Sequence, residues 1–166
     1  LKLIPILFIF FGNFPYKNLV LAEIKNPKDY QVLSKNSKTL SISNVEYYLK
    51  EGDKLIKNND FDKAKNSYLD ARKLAKKLAS FYSDLNSSFK GIDARIPNEM
   101  QSKGKDTLQI LAKSNRRLSS LYIKTQKPEV AVPLLIETIR IMSPGSSEGK
   151  EAYEQLIQLG FVETKY

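Results

Sequence analysis

From residue 43 onward, apolar side chains recur three and four positions apart in long runs separated by short polar breaks. That rhythm places one face of a helix in a core. Ser43, with Glu46 three residues on, has the spacing of a capping box, in which two side chains satisfy free N–H groups at a helix start. Tyr48, Leu49, Gly52, Leu55 and Ile56 follow at helical spacing until Asn58-Asn59-Asp60 interrupts them. A second, long helix is expected from about Phe61. Its Ala64, Tyr68, Ala71, Ala75, Leu78, Tyr82, Leu85, Phe89 and Ile92 form a heptad seam, the pattern of a helix packed lengthwise on another. Gly91 and the stretch up to Pro97 break it, and Pro97 suits the first turn of a third helix.

The third helix carries Met100, Gly104, Thr107, Leu111, Ser114, Leu118, Leu121 and Thr125 on a matching seam. Small residues there predict a close approach of two helices running roughly 40 Å, at about 1.5 Å per residue. Their short connection predicts an antiparallel hairpin. Lys127-Pro128-Glu129 opens a fourth helix, with Val130, Ala131, Leu134, Leu135, Thr138, Ile139 and Met142 expected inward. After Ser143-Pro144-Gly145, a fifth is expected over about residues 148–159, with Gly160 as its left-handed cap and Phe161 folding back towards Leu156. No stretch alternates strictly as a half-buried strand does. The expected class is all-α, built of antiparallel helical hairpins.

Two segments resemble units of the tetratricopeptide (TPR) repeat. Gly52, Leu55, Asp60-Phe61, Ala64, Tyr68 and Ala71 match one unit, and Ser119, Tyr122, Lys127-Pro128, Ala131, Leu135, Thr138 and Pro144 match another. Ala64 and Ala131 stand 67 residues apart, one short of two periods of about 34 residues. The middle unit is missing, and the heptad seams imply an elongated hairpin in its place. The resemblance covers about half of the chain after residue 22 and implies a scaffold that holds a protein partner in a groove. Through DARIPNEM and PEVAVPLLIETIRIMSP the chain is also similar to small uncharacterised exported proteins of cyanobacteria.

The N-terminal segment has a different pattern. Lys2 precedes the short apolar run LIPILFIFFGNF, and Val20-Leu21-Ala22 ends it, so residues 1–22 read as a secretory signal cleaved before Glu23. The run is shorter than the roughly 20 residues of a spanning helix, which makes an uncleaved anchor the weaker reading. Residues 23–43 form a polar lead-in to a helical domain over 44–166. Export to a periplasm or thylakoid lumen follows, with membrane tethering if the segment is retained.

Composition removes most chemistry. Cysteine and histidine are both absent, so no thiolate nucleophile, imidazole base, disulfide or ordinary zinc site is available. Asp60, Asp62, Glu148 and Glu151 sit at expected helix starts, where they favour the helix dipole. No phosphate-cradling glycine loop occurs. The chain is therefore expected not to be an enzyme and to hold no cofactor or metal.

Charge changes the picture once more. After residue 22 there are 25 basic and 18 acidic side chains, and the excess lies in residues 44–127, with 18 basic against 10 acidic. Lys113, Arg117, Ser120, Lys124 and Lys127 recur at spacings of 4, 3, 4 and 3, with Arg116 alongside. At about 100° per residue they lie about 200° from the Leu111–Leu118 seam. By the TPR resemblance this helix lines the concave face, and Lys113 and Arg117 match the spacing of a basic pair that some TPR domains use to hold a peptide carboxylate. Lys113, Arg116, Arg117 and Lys124 are accordingly the candidate contacts to an acidic segment of a protein partner, against a plain reading as a solvated face. Tyr47 and Phe81 fall off the seams and are free for a partner. The alternative function is a basic protein binding an anionic polymer or membrane surface. Nucleic acid is not expected.

Overall fold

The structure, a computed structural model, describes residues 40–165. The expected signal segment and most of the polar lead-in lie outside the described residues. Five helices follow in order: α1 (Ile42–Lys57), α2 (Phe61–Phe89), α3 (Arg95–Lys124), α4 (Pro128–Met142) and α5 (Ser147–Gln158). Each packs on the next, and α3 also touches α1. Among the described residues there is no strand, and the fold is an all-α array of antiparallel hairpins. None of these helices is long and apolar enough to cross a membrane.

The helix ends follow local chemistry, with two corrections to the sequence reading. The α1 cap is Ser41, whose hydroxyl accepts from the Asn44 N–H at 3.2 Å; Ser43 and Glu46 lie inside the helix as exposed residues. Two serines two positions apart compete for one cap, and burial settles it, because Ser41 is buried together with Val45 and Leu49. The α2 seam stops at Phe89, and Ile92, expected on it, is 78% exposed in the turn to α3. Gly91 (φ +84°) turns the backbone away there before the seam reaches Ile92.

Three helices end in the same Schellman turn. At α5 the Gly160 N–H bonds Ile157 O (2.9 Å) and the Phe161 N–H bonds Leu156 O (3.0 Å), with Gly160 at φ +70°. Gly160 is the expected cap, but the Phe161 ring stays 60% exposed. At α1, Asn59 (φ 58°) makes the left-handed step, and at α3 Gln126 (φ 59°) does. Asn59 and Gln126 are separated by the offset that separates Ala64 from Ala131.

That offset holds for burial too. Gly52 and Ser119, Ala64 and Ala131, Tyr68 and Leu135, and Ala71 and Thr138 are all buried. The α1–α2 and α3–α4 hairpins thus repeat one arrangement. Between them α2 and α3, at 29 and 30 residues, run past their shorter neighbours, which is the elongated hairpin expected from the seams. A Cβ at Gly104 would stand 3.6 Å from the Tyr82 Cβ, a close approach of the two long helices.

One main cluster joins α1, α2, α3 and α4 through Val45, Leu49, Tyr68, Leu78, Leu118 and Leu134, while Leu135, Ala152 and Leu156 join α4 to α5. In α4, Ala131, Leu134, Leu135 and Thr138 are buried, but Val130, expected inward, is 38% exposed. α3 is buried on a second row as well: Ala112, Asn115 and Ser119 join the seam. Its buried hydroxyls are satisfied locally, Ser114 donating to Ile110 O and Thr107 to Lys103 O, both at 2.8 Å. Asn115 is fully buried and bonds two charged groups. Its Oδ1 accepts from Arg72 Nε at 2.7 Å, and its Nδ2 donates to Glu137 Oε2 at 3.0 Å. Glu137 also pairs with Arg72 and Lys76, each at 2.7 Å. One polar cluster therefore ties α2, α3 and α4 together.

Candidate functional site

The contact of α3 with α1 leaves an open groove of about 360 Å³. α3 supplies most of its wall, with Lys113, Arg116, Arg117, Ser120, Leu121 and Lys124; Ile56 comes from α1, Tyr68 from α2 and Glu151 from α5. All four cations picked out in the sequence therefore line one groove. Helical spacing makes this possible, since positions 113, 116, 117 and 124 fall within about 100° of arc at roughly 100° per residue.

The four do not stand in the same state. Arg117 grips Asp53 of α1 with two parallel bonds, Nε to Oδ1 at 2.7 Å and Nη2 to Oδ2 at 2.9 Å, and the Tyr68 hydroxyl donates to Oδ1 at 2.7 Å. Burial would raise the Asp53 carboxyl, but the bonds from Arg117 and Tyr68, with the nearby charge of Lys113, hold it below the ordinary carboxylate value. Burial and the bond to Asp53 push the Tyr68 hydroxyl far above its usual value, so it stays a neutral donor. Arg116 is ion-paired with Glu151 of α5. Lys124 stacks over the Phe61 ring with Nζ 4.9 Å from its centroid, a contact that leaves ammonium N–H groups available. Lys113 is exposed.

Four cations line the groove; Glu151 in the lining and Asp53, bonded to Arg117, oppose two of them, and the lysines carry the surplus. Asp53 and Glu151 were not legible as groove residues. Asp53 is one of several acids on α1, and Glu151 belongs to a helix that reaches α3 only after the chain has turned twice. The same partners explain why the arginines are only partly free, although the sequence pattern treats all four cations as equivalent.

The repeat-framework residues lie beneath this surface. A Cβ on Gly52 would come within 2.3 Å of the Tyr68 ring. The missing side chain thus makes room for Tyr68, whose hydroxyl bonds Asp53. Leu55, Phe61 and Tyr122 are half-buried against the same core, and Ala64, Ala71, Ala131 and Leu135 are fully enclosed. Tyr47 (60%) and Phe81 (48%) are exposed, away from the groove lining. Among the described residues no group of three or more acidic side chains is placed to hold a metal ion.

These features define an all-α hairpin array with a cationic groove on one face. No family model and no curated protein matches the chain.

Proposed function

We propose that this chain is an exported, TPR-like scaffold that holds a protein partner through the α1–α3 groove, with an acidic segment of the partner as the contact. The observation that carries the reading is the groove itself: a concave opening with apolar Ile56 and Leu121 beside cations in excess over carboxylates. Apolar contacts there supply affinity and lysine–carboxylate bonds supply orientation. The repeated hairpin with its matched turns supports the TPR resemblance.

A photo-crosslinking residue at Ser120, expressed in the native cells, tests it. The expected result is a crosslink to an acidic segment of one protein. A synthetic peptide of that segment should then bind the purified chain at physiological salt, and Lys113→Glu with Lys124→Glu should abolish both. Binding to heparin or anionic vesicles that collapses between low and physiological salt, with no such segment, would instead assign the chain to polyanions.

A further inference from the structure

The charge state of the groove goes further than the presence of a groove. Its two arginines already face internal carboxylates, Arg117 with Asp53 and Arg116 with Glu151. An incoming acid would have to displace a bidentate, tyrosine-supported pair to use Arg117. Lys113 and Lys124 face no such competitor: neither forms an ion pair with a described side chain, and the Lys124 contact is to an aromatic ring. Both line the groove, on one helix, with Ser120 and Leu121 between them. Eleven residues make three turns with about 20° left over, so the two lysines share a face at about 16 Å along α3, at roughly 1.5 Å per residue.

An extended peptide advances about 3.3 Å per residue. Its side chains alternate sides, so those on one face stand an even number apart, and separations of four and six residues bracket the gap between the lysines. We propose that the groove measures its ligand: it selects an extended segment with two carboxylates on one face, four or six positions apart, one on Lys113 and one on Lys124. Apolar side chains between them rest on Ile56 and Leu121. The ligand class is an acidic–apolar–acidic stretch of protein chain. The paired arginines serve as a fixed floor that sets the groove width. This rests on the groove-binding reading and adds a spacing rule to it.

The test uses the chain and peptide pools in which two glutamates are fixed at separations of four, five, six or ten and all other positions are randomised over uncharged residues. Net charge is then equal across pools, and binding is read by fluorescence anisotropy at physiological salt. The expected result is about tenfold tighter binding of the four- and six-residue pools than of the five- and ten-residue pools. Lys113→Ala or Lys124→Ala should each erase that preference, while Lys77→Ala and Lys105→Ala, exposed and outside the groove, leave it intact. Circular dichroism confirms that each variant is folded. Equal binding of all four pools that still depends on the two lysines would overturn the spacing rule and leave the acidic groove standing. Failure of every pool to bind, or binding indifferent to both lysines, would overturn the groove reading and the rule together.

Discussion

At Gly52 a single hydrogen atom decides the geometry of the groove wall. The space that a methyl group would fill there is taken by the Tyr68 ring, so Gly52→Ala should cost about 1–3 kcal/mol through overpacking. It should also displace the Tyr68 hydroxyl from Asp53. Chemical denaturation and the tyrosine absorbance titration read the two effects separately. Arg117 is the second such residue. Reversal to Glu would set a carboxylate against Asp53, so Arg117→Glu is expected to lower the denaturation midpoint, while Lys113→Ala, which removes a nearby charge from Asp53 but no ion pair, should lower it much less. Asp53 and Glu137 both titrate below their ordinary values, against the upward push of burial, because their cationic hydrogen-bond partners favour the charged form. A depressed folded value means that these groups stabilise the fold above the unfolded value and lose that contribution as pH falls. Stability should thus be flat near neutrality and decline below about pH 4. A titration monitored by helicity checks this, with Glu137→Gln showing a shallower decline.

Among the elements, α3 has the largest share of the packing problem, because it meets α1, α2 and α4. Its seam residues were legible because they are apolar and periodic. Its second row was not, since Ala112, Asn115 and Ser119 are small or polar and read as surface until another helix covers them. Leu118 is 1% exposed at the centre of the seam, and Leu118→Ala should cost about 2–5 kcal/mol in equilibrium unfolding by leaving a cavity. Asn115→Ala should also destabilise, because it strips partners from both Arg72 and Glu137 where neither is fully in water. The helix ends show the same division. Gly160 announces its left-handed turn, whereas Gln126 makes an equivalent turn with no residue preference behind it. There the following Pro128 and the packing of α4 hold the chain.

For the whole molecule, the long α2–α3 hairpin is a heptad-built extension of a shorter repeat. Removing one heptad from each arm, residues 80–86 and 100–106, takes out facing stretches around the Tyr82–Gly104 approach. The shortened chain should fold with less helicity and an unchanged groove, because seven residues restore the seam to nearly the same phase. Removing three residues from only one arm should instead lower the denaturation midpoint sharply. Circular dichroism and lysine-dependent peptide binding distinguish the two outcomes.

The sequence alone settles whatever depends on neighbours three and four apart. It set the helical class, the heptad seams, most helix limits and the row of cations on one face of α3. Periodicity is a local property, and burial of an apolar stripe is its direct consequence. It remained for the tertiary packing to choose the partners those residues meet. Ser41 displaced Ser43 as a cap because its neighbours are buried. Asp53 came to Arg117 because α1 packs on α3, and Glu151 came to Arg116 because α5, docked on α4, reaches back to α3 across 35 residues of sequence. Such pairings depend on how whole helices cross, and a charge on a solvent-facing arc carries no local mark of the acid that will neutralise it.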